Sequence, residues 1–246
     1  MKTRIFLLSV GILALGALTS CKKNGMDGKL SITFSFTFNN NALIFDDELY
    51  IIESKNAIRI DNIQYFISDP VVIDRSGSRH SFTKESNKIH YVDSDRPATL
   101  HWNIDETLPA AIYDFVEFVY GLAPEYNHTG MFSNAPESLM FWPESMGGGY
   151  HHLKINGWYS ETAADTILYP FGFHAGMDNN YLPLRDTLRF FLTDGLTQNL
   201  RLNMEVANWF KNPYVWNFAE FGGSVMQNAE AQRIIKENAY DVFSIR

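Results

Sequence analysis

The chain has almost no cysteine: Cys21 is the only one among 246 residues. Disulfides are therefore excluded as staples in any redox compartment, and paired-cysteine metal sites are excluded with them. Basic residues are also scarce, 20 against 28 acids, for a formal net charge of −8. A surface of that sign is a poor partner for a phosphate polyanion, so nucleic acid is not expected as a ligand. There is no HExxH zinc pattern, no serine–histidine–aspartate signature and no phosphate-cradling glycine loop; Gly147-Gly148-Gly149 precedes an expected strand, not a helix. Nothing places a nucleophile beside a base, and no enzyme is expected. The acids Asp46, Asp47 and Glu48 read as a solvated turn. Internal repeats and low-complexity tracts are missing as well.

What is present begins with a signal. Lys2 and Arg4 precede an apolar run from Ile5 to Leu18, which is shorter than the roughly 20 residues a bilayer span needs. The run ends in Leu18-Thr19-Ser20-Cys21. That ending resembles a bacterial lipobox, in which the cysteine thiol takes a diacylglycerol and becomes the new N-terminus. The expected organisation is a lipoprotein signal peptide over residues 1–20, a lipidated tether over 21–29 and one domain over 30–246. The chain would then sit in the cell envelope, held to a membrane by lipid on Cys21, on the outer membrane facing either the periplasm or the surface. Loss of Lys2 and Arg4 leaves two fewer bases than the 20 counted, against 28 acids, so the mature charge is near −10. With no cysteine left for a bridge, an apolar core must hold the domain together.

The folded part reads as strands. Leu30, Ile32, Phe34, Phe36 and Phe38 alternate with Ser31, Thr33, Ser35 and Thr37, the pattern of a half-buried strand. Leu200, Leu202, Met204 and Val206 alternate as clearly near the other end. Between them lie shorter candidates at Ala57–Ile60, Ile63–Ile67, Val71–Ile73, Ile89–Val92, Tyr113–Tyr120, Tyr150–Tyr159 and Leu188–Leu192. Arg75 to Ser78 reads as a turn and Ser81 onward as the return of a hairpin. Strands at this spacing argue for a sandwich or a barrel. Helical periodicity is confined to Val225–Asn238, and Asn208–Phe218 reads as irregular or a short helix. Pro124 to Gly149 is a long turn-rich loop, of a length that is usually functional.

Seven histidines are the main chemical resource. The stretch from Pro136 to Tyr159 holds Met140, Trp142, Met146, His151 and His152, and Phe173-His174-Ala175-Gly176-Met177 follows. Imidazole and thioether together suit copper(I), a soft ion. Adjacent residues on a strand face opposite ways, so one of His151 and His152 is expected to join His174. His151 is preferred because strict alternation groups it with Leu153 and Ile155, whose apolar wall would slow loss of the ion. Packing is the commoner role for methionine, and a hydrogen-bonded core position is common for histidine.

The order of these motifs resembles the MbnP-like copper-binding family, the methanobactin-associated periplasmic proteins and their lipoprotein relatives. The likeness rests on the opening strand Leu30–Phe38, on Asn62-Ile63-Gln64-Tyr65-Phe66-Ile67-Ser68 and on Tyr120-Gly121-Leu122. Its most specific part is Met140-Phe141-Trp142 leading to Gly149-Tyr150-His151-His152-Leu153-Lys154-Ile155-Asn156-Gly157, with Phe173-His174-Ala175-Gly176 and the closing Asn238–Phe243. The resemblance implies an all-β fold, an antiparallel β-sandwich with long loops and a short C-terminal helix. It implies copper as the bound ion, held by His151 and His174 with His152 in reserve, and a dihaem peroxidase-like enzyme as partner. In relatives a tryptophan oxidised to kynurenine contributes, and the associated pattern sets that tryptophan two residues before a histidine. None of Trp102, Trp142, Trp158, Trp209 or Trp216 is so placed, and no modified tryptophan is expected here. The alternative is a glycan-binding or interaction lipoprotein without a metal, in which Trp158, Trp209, Tyr214 and Trp216 stack on sugars.

Overall fold

A computed structural model describes residues 27–176 and 180–246. The signal segment 1–20, Cys21 and residues 22–26 of the tether lie outside the described residues, as does Met177. In chain order the strands are β1 (Asp27–Phe38), β2 (Asn41–Ala42), β3 (Tyr50–Ile51), β4 (Ala57–Asp74), β5 (Arg79–Ser81), β6 (Ile89–Asp93), β7 (His101–Pro109), β8 (Ile112–Tyr120), β9 (Leu153–Tyr159), β10 (Tyr169–Ala175), β11 (Leu182–Phe191), β12 (Thr197–Glu205) and β13 (Phe243–Ile245). The helices are α1 (Phe218–Phe221) and α2 (Ala229–Asn238). Among the described residues no helix is long and apolar enough to cross a membrane.

The strands form two sheets, as expected for a β-sandwich. The first holds β13, β12 and β1, with β2 and β7 on the far edge of β1. Its central pair, β1 with β12, is parallel, from Lys29↔Thr197 to Thr37↔Glu205. The sheet is thus mixed rather than purely antiparallel. The alternation seen in the sequence explains both faces of this pair. Leu30, Ile32 and Phe34 meet Leu200, Leu202 and Met204 in the core. On the other face Ser35 donates to Asn203 Oδ1 at 2.9 Å and Thr37 to Glu205 Oε2 at 3.0 Å.

The second sheet is organised on β4. Three expected short strands, Ala57–Ile60, Ile63–Ile67 and Val71–Ile73, are one strand here, because the polar residues between them sit at register shifts instead of ending it. Tyr65 pairs with Val92 on one edge and Leu153 on the other, and Ile67 pairs with His90 and Tyr120 in the same way. Strands β9 and β8 therefore lie end to end along one edge of β4. They meet at Phe66, whose amide donates to the His152 carbonyl and whose carbonyl accepts from the Gly121 amide. Strands β10 and β11 extend the sheet beyond β9 and β8.

Most buried apolar side chains form one core, and burying each contributes roughly 1.5–3 kcal/mol. A smaller cluster of Phe66, Tyr91, Leu122, Met140 and Tyr150 lies under the long loop. That loop, Pro124–Gly149, carries short 3₁₀ turns at Glu137–Met140 and Glu144–Met146. Helix α2 starts later than the expected Val225, because the Asn228 side chain accepts the Ala231 amide and caps it there.

Candidate metal centre

The seam between β8 and β9 places the two adjacent histidines. Regular strand begins only at Leu153, so the strict alternation that grouped His151 with Leu153 and Ile155 does not reach His151. Its amide instead donates to the Met140 carbonyl of the crossing loop at 2.6 Å. The His151 ring packs edge to face against Trp142, with 4.8 Å between centroids, and against His174, with 5.2 Å. His174 sits on β10 opposite Lys154, on the face of Lys154 and Asn156. Alternation had reserved that face for His152. The pairing of His151 with His174 is present, but its walls are Trp142 and the covering loop, not Leu153 and Ile155, which pack in the main core.

His152 does other work. Its Nδ1 accepts the Leu122 amide at 3.0 Å, and its ring is fully buried at the seam. Gly121 has φ +87°, and a Cβ there would lie 2.5 Å from His152 Nδ1, so only glycine fits. The ring of His152 locks the end of β8 to the start of β9.

Tautomers follow from the partners. His151 Nδ1 lies 2.9 Å from the Met140 carbonyl, which can only accept. Nδ1 therefore carries the proton, and the lone pair is on Nε2. That Nε2 is buried with no hydrogen-bond partner. His174 Nε2 lies 2.8 Å from Asn156 Oδ1, which assigns its proton to Nε2 and its lone pair to Nδ1. Buried ligand histidines are commonly oriented by such acceptors behind the ring.

Both imidazoles are held neutral. Burial pushes the His151 pKa down to about 3, and the nearby Lys154 ammonium adds to the effect. Burial and then Lys154 push His174 down to about 4. Burial also lowers Lys154, whose ammonium donates to the Leu139 carbonyl at 2.8 Å.

Glycines make room for this arrangement. A Cβ on Gly176 would fall 2.1 Å from Trp142 Cε3, and one on Gly172 would fall 3.0 Å from His174 Nε2. Trp142 is fully buried, and its Nε1 donates to the Met146 carbonyl at 3.0 Å. Sequence reasoning noted Trp142 without giving it a place beside His151, and it missed Lys154 and Asn156. Their signal was the alternation after His152, which sets both on the face of His174.

The other histidines are occupied or solvated. His80 lies 2.9 Å from Asp74 Oδ2, and His90 is stacked between Phe34 and Trp102. His101 approaches Thr33 Oγ1 at 3.4 Å, and His128 is exposed. Among the described residues no three His, Cys, Asp or Glu side chains are grouped to hold a metal ion. Two imidazoles with free lone pairs fit a soft ion of low coordination number better than a hard one. The stacking platform of the glycan alternative does not form: Trp209 and Trp216 are core residues at 0% and 1% exposure. Trp158 is half-buried, with its Nε1 donating to Asp61 at 2.7 Å.

Comparison with known proteins agrees with the fold. Residues 27–227 match the family model described as MbnP. A solved structure, MbnP from Methylosinus trichosporium, is similar in fold, with a TM-score of 0.51 at 11% identity over 89% of this chain and 98% of that one. No curated protein matches the chain.

Proposed function

The chain belongs to the MbnP family, and from that premise we propose that it is a lipid-anchored copper-binding protein of the bacterial cell envelope. It binds or sequesters the ion without turnover. The anchor is the lipid on Cys21. Copper(I) is the cargo, held by His151 Nε2 and His174 Nδ1. One observation carries the reading: a buried imidazole nitrogen, His151 Nε2, has no protein partner and lies beside a second, half-buried histidine, His174. A buried acceptor left without a partner costs roughly 1–3 kcal/mol, and a bound ion offsets that cost.

Each residue has a task. Met140 O and Asn156 Oδ1 fix the two tautomers, so neither ring need release a proton to bind. Trp142 covers His151 and excludes water from it. Neutral imidazoles without a clustered carboxylate favour a soft monovalent ion over a hard divalent one. The family relation is the support for a dihaem peroxidase-like partner.

The test is anaerobic competition for copper(I) against a colorimetric chelator. It uses the full chain with Cys21→Ser, so that the single thiol does not compete. About one equivalent should be taken up, as two imidazoles at one point allow, and His151→Ala with His174→Ala should abolish it. Uptake unchanged in that double variant overturns the proposal.

A further inference from the structure

The surface opens into a cavity of about 860 Å³, lined by Met146, Ser224 and the run from Met226 to Glu230. Its two walls are each tied to one of the histidines. The Met146 carbonyl accepts from Trp142 Nε1 at 3.0 Å, and Trp142 packs on His151. Val225, the neighbour of Met226, shares the Gln232 amide with His174: Nε2 of Gln232 donates to the His174 carbonyl at 2.6 Å and to the Val225 carbonyl at 3.2 Å. Ser224 bridges Gly172, the residue against the His174 ring.

The two methionines differ from those that merely pack. Met140 and Met204 are 1% and 0% exposed, whereas Met146 and Met226 are half-buried and line the same open space. Thioethers are neutral, soft and polarisable, and they exchange a soft cation without releasing a proton. Among the described lining residues Glu230 is the only charged one, so nothing cationic lines the cavity, whereas Lys154 stands at the histidines.

We propose that Met146 and Met226 form a loading site, at which copper(I) is first captured by thioether sulfur before it passes to His151 and His174. This rests on the histidine reading for the destination of the ion, whereas the thioether site is argued from the cavity that both methionines line. The step is ligand exchange: sulfur lone pairs bind the ion, imidazole nitrogens replace them, and no electron or proton is transferred. The arrangement divides the work, because weak thioether donors at the open cavity set the rate of entry and the less accessible imidazole nitrogens set the affinity.

The test uses the full chain with Cys21→Ser, methyl-labelled at methionine, and silver(I) as a redox-inert probe. Silver(I) should shift the methyl resonances of Met146 and Met226, and should still do so in the His151→Ala/His174→Ala variant. Copper(I) transfer from its bicinchoninate complex, followed by stopped flow, should slow about tenfold in Met146→Leu/Met226→Leu, equivalent to ~1.4 kcal/mol at the barrier. The equilibrium uptake of that variant should not change, since leucine for methionine nearly conserves volume. Unmoved methyl resonances, or wild-type transfer in the double leucine variant, overturn the loading site. Methyl shifts without stable uptake at the histidines support the thioether site and count against the histidine reading alone.

Discussion

The Leu122 amide donates to Nδ1 of His152 at 3.0 Å, across the point where β8 stops and β9 starts. Two histidines adjacent in sequence thus have separate duties: His152 holds the seam and His151 faces the candidate site. His152→Ala leaves a buried amide without its acceptor and a cavity at a fully buried position, so it should destabilise the fold by roughly 2–4 kcal/mol. Copper(I) uptake by the folded fraction should persist. His151→Ala should do the reverse, losing copper at smaller cost because it removes an unpaired nitrogen. Denaturant unfolding and chelator competition on the same two proteins decide the matter, and a copper-free His152→Ala that unfolds like wild type would refute this division.

The second expectation concerns acid. His90, like the candidate pair, is held well below its ordinary range by burial, at about 4. Each of these imidazoles is harder to protonate in the folded chain than in the unfolded one. Between roughly pH 6.5 and 4 the unfolded chain therefore binds more protons, and stability falls as pH falls through that window. Removing His151 and His174 together should flatten the slope of stability against pH there, measured by denaturant midpoints from pH 7.5 to 4.5. Copper(I) affinity should be level from pH 8 to about 5, because burial lowers the two pKa values to about 3 and about 4 and both rings are neutral throughout that range. Affinity that drops tenfold per unit near pH 6.5 would show that the rings are ordinary exposed histidines.

Gly176 provides the third expectation. An added methyl would have to occupy space 2.1 Å from Trp142 Cε3, and an indole wedged against His151 cannot move aside freely. Gly176→Ala should cost about 1–3 kcal/mol by overpacking and should loosen the cover over the pair. The expected readout is a red-shifted tryptophan emission with weaker copper(I) retention. Gly172→Ala, which meets only the His174 ring edge at 3.0 Å, should weaken copper binding with little effect on stability. Wild-type emission and retention in Gly176→Ala would remove Trp142 from the site.

How far the sequence carries such reasoning depends on the element. The alternation of Leu30–Phe38 and of Leu200–Val206 is legible because one face is buried and the other wet. That the two strands run parallel and side by side is a long-range fact with no local signal. Strand β7 has a weak signal in the sequence because its inward alternation, Trp102, Ile104 and Leu108, is interrupted by Glu106, whose carboxylate accepts the amides of Thr83 and Lys84. The continuity of β4 was hidden by Asp61-Asn62 and Ser68-Asp69-Pro70, polar residues that read as breaks but lie at bulges. At the site, the choice of His151 with His174 followed from face counting, but the face was wrong. The counting assumed a strand through His151, where the chain is instead tied to Met140.

Lys154 sets the last expectation, which concerns the oxidation state of the ion. Its ammonium lies close enough to depress both histidines, and it donates to a carbonyl, Leu139 O, not to a carboxylate. An incoming ion meets that fixed charge, and the repulsion grows in proportion to the ion's own charge. Copper(II) therefore feels twice the penalty of copper(I). Replacing Lys154 by leucine, which keeps an apolar side chain, removes the charge and adds no donor atom, should improve binding of both. If copper(I) gains about tenfold, copper(II) should gain about a hundredfold, since the electrostatic work doubles. The reduction potential of the bound couple should then fall by ~60 mV. Loss of the Leu139 contact alone would weaken both ions alike and leave the potential where it was. A Lys154→Leu protein with an unshifted potential would thus reduce this residue to a tie for the loop, with no part in choosing the ion.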